Sequence, residues 1–213
     1  MQKPSVYRAF IAIELSAPFK EALRNAIERL QELPLSGLRW VKPEGIHLTL
    51  KFLGDIPVSR VTAIQDAMSQ ASQGVVPFTL ALAEVGAFPN WQSPRVIWIG
   101  MTGETDSLRD LQQRLEEVMH RLGFPRERRE FSPHLTLARL KEGVSQHDRC
   151  KVGEHLSAIH IPMSSAMTVQ EISLMRSTLL SSGPVYHRLV VVPLSLESGD
   201  ENSRKGLLDL RKE

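Results

Sequence analysis

Gly45-Ile46-His47-Leu48-Thr49-Leu50-Lys51-Phe52-Leu53-Gly54 and Ser132-Pro133-His134-Leu135-Thr136-Leu137-Ala138-Arg139-Leu140 share four letters, His-Leu-Thr-Leu, at 47–50 and 134–137. Each copy is an alternating apolar run entered through Gly or Pro, which is how a half-buried strand is written. Side chains alternate faces along a strand, so His47 and Thr49 share one face while Leu48 and Leu50 share the other. His134 and Thr136 stand against Leu135 and Leu137 in the same way. The chain therefore contains two strands that each bury leucines and present a histidine with a threonine, one in each half of the sequence.

Working outward, Arg8–Leu15 reads as a first strand ended by Ser16 and Pro18. Ser16 is placed to cap a helix across Pro18–Leu33, with Phe19, Leu23, Ile27 and Leu30 at helical spacing and Pro34 as its stop. Leu38–Val41 is a short extended segment, Pro43–Gly45 a turn, and 46–53 the first motif strand. A second amphipathic helix is expected over Pro57–Ser72, carrying Val61, Ile64 and Met68. Strands Phe78–Val85 and Arg95–Met101 follow, joined by a turn-rich stretch. The helix at 104–122 carries Leu108, Leu111, Leu115, Val118 and Leu122, and Gly123 ends it. The second motif strand is 131–140, then a polar loop at 141–155, then strands at 167–176 and 186–194 separated by a turn at 181–184. This order predicts an α+β fold of two pseudo-symmetric lobes, each an antiparallel sheet backed by helices, around a central cleft that both motif strands face. The expected division is a bilobal domain over 1–195 and a charged, flexible C-terminal tail over 196–213, with a short helix at Leu207–Lys212.

The chain has 213 residues, 42% hydrophobic and 23% charged, which suits a soluble globular protein with a substantial core. No apolar run approaches the ~20 residues that span a bilayer, and the N-terminal stretch has no signal-peptide pattern. Cys150 is the single cysteine, which excludes an intrachain disulfide and a cysteine-cluster metal site. The single thiol suits a reducing, cytoplasmic compartment, and the chain is expected to be a monomer. A net charge of +2 does not by itself mark a nucleic-acid binder. Arg121, Arg126, Arg128 and Arg129 gather before the second motif and Arg139 follows it. They read either as a basic rim that attracts a phosphorylated substrate or as a solvated helix end and loop.

A lone strand histidine is usually structural, and threonine is simply a good strand residue. Recurrence of the pair in matching contexts favours function. Histidine pairs bind metals, but catalytic zinc needs three protein ligands and non-haem iron a carboxylate, and neither motif supplies one. They also assist nucleophiles, but no Gly-x-Ser-x-Gly or Cys-His pattern is present. Paired general acid–base catalysis remains, because imidazole titrates near neutrality and acts from either protonation state. It suits a phosphodiester: one histidine takes a proton from attacking water while the other protonates the departing alkoxide. No metal or other cofactor is called for. The threonines, ~6.6–7 Å along the strand from each histidine, are placed to hold the non-bridging oxygens. Arg139 is a further anion contact, although strict alternation puts it on the leucine side, so it needs a twist, a bulge or its own length to reach a phosphate. Phe52, Trp40, Trp91 and Tyr186 are candidates to stack on a base, and each also fits a packing role.

These residues resemble the two-histidine phosphoesterase superfamily, and within it the bacterial and archaeal LigT-like RNA 2′,3′-cyclic phosphodiesterases. The supporting text is both motifs with Arg39-Trp40-Val41, Gly86-Ala87-Phe88-Pro89, Pro94-Arg95-Val96-Ile97-Trp98 and Phe131-Ser132-Pro133. The resemblance spans residues 5–194 and leaves out the charged tail. It implies a bilobal fold and metal-independent hydrolysis of a terminal 2′,3′-cyclic phosphate of RNA to a 2′-phosphate. By that resemblance His47 is the proton donor, His134 the proton acceptor, and Thr49 and Thr136 bind the phosphate; Arg139 and Phe52 stand as substrate contacts on the strand and stacking readings. Some members join tRNA halves through a 2′–5′ linkage, so a 2′–5′ ligase or phosphodiesterase is the alternative. A non-enzymatic RNA- or nucleotide-binding module is the third.

Overall fold

The structure is a computed structural model that describes residues 6–160, 165–180 and 183–194. In chain order its elements are β1 (Val6–Glu14), α1 (Ala17–Gln31), β2 (Leu38–Trp40), β3 (His47–Pro57), α2 (Val61–Ser72), β4 (Phe78–Phe88), β5 (Val96–Gly103), α3 (Thr105–Arg121), β6 (His134–Leu140), α4 (Gln146–Ser157), β7 (Ala166–Val169), β8 (Glu171–Leu180) and β9 (Gly183–Pro193). Short 3₁₀ turns occupy Pro43–Gly45 and Val58–Arg60. The strands form two antiparallel sheets, one in the order β3-β1-β8-β9 and the other β2-β6-β5-β4-β7. The fold is α+β, with one motif strand in each sheet.

Period-2 alternation builds the core. On β1, Ala9, Ile11 and Ile13 are buried against the helices with Leu48, Leu50 and Ile56 of β3. Phe19, Leu23, Ile27 and Leu30 of α1 join them at the spacing the sequence shows. In the second sheet Leu135, Leu137, Ile97, Ile99 and Leu80 do the same against Leu108, Leu111 and Leu115 of α3. Each large side chain fully buried this way contributes about 1.5–3 kcal/mol. The other face of β1 carries Phe10 and Ala12, which pack with Met175 and Tyr186 in a small separate cluster.

The sheets do not divide the chain at its middle. β2 leaves the first half to flank β6, and β8 returns to flank β1 with β9 beyond it. The strand expected at 167–176 is two strands that part at Gln170: β7 pairs with β4 in one sheet, and β8 with β1 in the other. An uninterrupted apolar pattern cannot show that its ends pair with different partners. The polar loop expected at 141–155 contains helix α4. Ser145 Oγ accepts from the Asp148 backbone N–H at 3.1 Å, a helix-starting cap, and only Val152, Gly153 and Leu156 are buried. With so narrow an apolar stripe, periodicity does not reveal the helix. The helix expected from Pro57 begins at Val61 because β3 runs on through Pro57. The expected tail, 196–213, lies outside the described residues. Among the described residues no helix is long and apolar enough to cross a membrane.

Candidate active site

Both motif strands carry the same irregularity at the same letter. Along β1 and β3 the pairing steps from Ala12↔Thr49 to Ile11↔Lys51, so Leu50 is an extra residue. Along β5 and β6 it steps from Trp98↔Thr136 to Ile97↔Ala138, so Leu137 is the extra residue. A one-residue bulge reverses the parity of everything after it. The fifth residue after each histidine therefore returns to the histidine face: Phe52 in one sheet and Arg139 in the other. This is the bulge that Arg139 needs, and it corrects the leucine-side placement given by strict alternation. It also turns Lys51, which shares parity with His47 in a regular strand, into the interior.

Directly paired residues of an antiparallel ladder share a face, so the pairings define two related surfaces. In the first sheet Glu14 faces His47, Ala12 faces Thr49 and Phe10 faces Phe52. In the second Gly100 faces His134, Trp98 faces Thr136 and Val96 faces Arg139. The scaffold is duplicated while its neighbours differ, most sharply where a carboxylate stands across from one histidine and a glycine across from the other.

The two imidazoles are held alike. His47 Nδ1 lies 3.0 Å from the Gly45 carbonyl oxygen, and His134 Nδ1 lies 2.7 Å from that of Ser132. A carbonyl only accepts, so each Nδ1 carries a hydrogen and each Nε2 is free to take or give a proton. The carbonyl lies two residues upstream in both cases. His47 stacks on Phe10 at 4.5 Å between ring centroids, with Tyr186 edge-on at 4.8 Å. His134 has Phe88 edge-on at 4.9 Å and Trp98 at 6.0 Å. Gly86 makes room for Trp98: a Cβ there would fall 2.2 Å from the indole ring.

Burial between Phe10 and Tyr186 pushes the His47 pKa down to about 4, against an upward pull from the Gly45 carbonyl and the Glu14 charge and with a smaller downward push from Lys20. Burial would raise Glu14, but hydrogen bonds from Arg188 and Ser173, both 2.6 Å to Oε1, and the Arg188 charge hold it below its ordinary value. Burial raises the Tyr186 pKa, and the charge of Arg139 pulls it back. Tyr186 belongs to the first sheet and Arg139 to the second, so that interaction spans the cleft. The motif strands also approach each other directly, with Cα atoms within 8 Å. Thr49 and Thr136 are half-buried beside their histidines.

Phe52 is 71% exposed and projects beside Phe10 at 6.2 Å, as a stacking platform would. Trp40 and Trp91 pack against the core instead, while Tyr186 belongs to the site. Of the arginines before the second motif, Arg121 and Arg126 are ion-paired with Glu117, so they serve the end of α3. Arg128 and Arg129 are exposed. Sequence reasoning missed Glu14, Phe10, Phe88 and Trp98. Glu14 and Phe10 were within reach, because Phe10, Ala12 and Glu14 alternate against Ala9, Ile11 and Ile13. Phe88 and Trp98 required the pairing of β4 with β5. Among the described residues no group of three or more His, Cys, Asp or Glu side chains is placed to hold a metal ion.

Two antiparallel sheets thus each present a His/Thr pair whose imidazole is held through Nδ1 with Nε2 unpaired among the described residues, an arrangement suited to acid–base work. The LigT like Phosphoesterase family model matches residues 13–98 and again 99–186, one motif to each match. The chain belongs to that family. It is 33% identical over 190 residues to the RNA 2′,3′-cyclic phosphodiesterase of Methanothermobacter thermautotrophicus, covering 88% of this chain and 98% of that one. Identity to the protein of the same name from Archaeoglobus fulgidus is 32% over 184 residues, 86% and 98% of the two chains. Among solved structures, TT0787 of Thermus thermophilus superposes with a TM-score of 0.70 at 29% identity, covering 88% of this chain and 97% of that chain. E. coli LigT complexed with 3′-AMP gives 0.70 at 28%, covering 90% and 99%.

Proposed function

We propose that this protein is an RNA 2′,3′-cyclic phosphodiesterase that opens a terminal 2′,3′-cyclic phosphate to a 2′-phosphate. The observation that carries the reading is the identical presentation of His47 and His134, each fixed through Nδ1 with Nε2 free. His134 Nε2 takes a proton from water as its oxygen attacks phosphorus. The bond from phosphorus to the 3′ oxygen breaks, and the proton on His47 Nε2 goes to that oxygen. Thr49 and Thr136 hydrogen-bond the non-bridging oxygens, Phe52 stacks on the terminal base and Arg139 contacts an anion. The donor role requires a protonated His47, which burial opposes; the negative charge of the bound phosphodiester restores it. Both histidines come from one chain, so the chemistry asks for no second copy; the activity is assigned to residues 1–195 of a cytoplasmic monomer, and residues 196–213 are given no role. The names of the relatives and the nucleotide-bound LigT structures support this reading.

The test is incubation with a short RNA bearing a 2′,3′-cyclic end in the presence of chelator, with product mapping. Conversion to a 2′-phosphate end is expected. Products containing only made or broken 2′–5′ bonds would replace the hydrolase with a ligase. His47→Ala and His134→Ala should each slow turnover by about 10²–10⁴-fold, and full activity in both would end the acid–base assignment.

A further inference from the structure

The edge strand β2 places Arg39 directly across from Arg139. Leu38 and Trp40, on either side of Arg39, turn toward the core, so Arg39 shares the face of Arg139 and hence that of His134 and Thr136. Both arginines are exposed. Like charges directly opposite on a ladder destabilise it, and several arginines elsewhere in this fold are ion-paired. Arg188 has Glu14, Arg121 and Arg126 have Glu117, Arg114 has Asp110, and Arg24 has Glu21 and Glu44. Among the described residues neither Arg39 nor Arg139 has an ion pair, and Val96, on the other side of Arg139, supplies no carboxylate. Two arginines on one rung and one face, without an ion pair among the described residues, can offer their guanidinium donors to one anion.

We propose that Arg39 and Arg139 together bind the phosphodiester on the 5′ side of the terminal nucleotide, so that the enzyme selects RNA ends over cyclic mononucleotides. This rests on the phosphodiesterase reading and deepens it. The Arg39–Arg139 rung lies about 7–10 Å along β6 from Thr136 at the usual strand rise. With the cyclic phosphate between the histidines and threonines, the rung is one backbone step away. A cyclic mononucleotide has no phosphate to fill it, and an oligonucleotide does. Arg39 is remote from the reacting atoms and acts only on the second phosphate, so it is a specificity residue.

The experiment compares a 2′,3′-cyclic mononucleotide, a dinucleotide with a 2′,3′-cyclic end, and the same dinucleotide with an uncharged methylphosphonate linkage. Wild-type kcat/KM should be higher by about tenfold for the charged dinucleotide, an ordinary gain for a charge-assisted contact, and should fall back with the neutral linkage. Arg39→Gln should erase that advantage and reduce the log–log salt slope by about 0.7, the loss of one single-strand phosphate contact. It should leave mononucleotide turnover unchanged, and Arg39→Lys should recover part of the gain. Equal loss on mononucleotide and dinucleotide, or no penalty for the neutral linkage, would overturn the subsite. If the wild type turns over no cyclic end, the phosphodiesterase reading fails and the subsite is judged by equilibrium binding of the charged and neutral dinucleotides carrying a 2′-phosphate. Tighter binding of the charged form that Arg39→Gln abolishes would support it; equal binding of the two would sink it.

Discussion

Glu14 stands directly across the β1–β3 ladder from His47, while the corresponding position across from His134 is Gly100. The repeated motif therefore carries one histidine beside a carboxylate and one without. A nearby negative charge favours imidazolium, so the asymmetry suits a proton donor at His47. Glu14→Gln should lower the His47 pKa further, move the high-pH limb of the kcat profile to lower pH and slow turnover at neutral pH by about three- to tenfold, the effect of half to one pKa unit. Arg188→Gln, which frees Glu14 from its ion pair, should move the same limb the other way. Shifts in one direction for both variants would mean that Glu14 acts only by holding the sheet together.

The buried His47 also makes stability depend on pH. Its folded pKa of about 4 lies below the ordinary 6.5, so between those values the unfolded chain binds more protons. Stability therefore rises with pH across that window and is lost as the pH falls through it. Urea denaturation of the wild type from pH 4 to pH 7 should show this slope. His47→Asn should flatten it, leaving the carboxylate contribution of Glu14, which lies lower. Bound phosphate should raise the His47 pKa, visible as a shifted imidazole titration in NMR spectra.

Both histidines and both threonines are legible in the sequence because their faces need only the period-2 rule, which holds up to the bulge. Beyond it parity fails: strict alternation puts Arg139 on the wrong side and gives no reason to single out Lys51. A bulge adds a residue without changing composition, so Leu50 and Leu137 look like ordinary strand leucines. Pairing partners are equally out of reach. That Glu14 meets His47, that Arg39 meets Arg139 and that β7 and β8 part company at Gln170 are long-range facts.

Trp98 fits because Gly86 has no side chain. Gly86→Ala would put a Cβ 2.2 Å from the indole and must push the ring from its place across from Thr136. Overpacking of this kind costs about 1–3 kcal/mol. The variant should melt lower, shift the tryptophan fluorescence and lose turnover, because Trp98 and Phe88 together set the position of His134. Combining it with Trp98→Phe, a smaller ring, should recover stability. A Gly86→Ala protein with wild-type melting and turnover would show that the slot yields without disturbing the site.

The bulge at Leu50 sends the Lys51 ammonium into the interior, where it lies 2.9 and 2.8 Å from the two Glu116 carboxylate oxygens of α3 and 3.0 Å from the Pro125 carbonyl. Lys51 is buried and Glu116 nearly so, and Glu116 also accepts from the Glu127 backbone N–H at 3.3 Å. The pair thus ties the first motif strand to the segment leading into the second. Desolvation offsets most of its Coulombic attraction, so the pair itself adds little net stability, but removing one partner strands a buried charge at a cost of about 3–5 kcal/mol. Lys51→Met and Glu116→Leu should each destabilise by that order in chemical denaturation, and the double variant should recover most of the loss. Since the ammonium also fixes the 125–127 segment, the double variant should regain stability while its turnover stays below wild type. Full recovery of both would make Lys51 a packing residue with no part in aligning the two motifs.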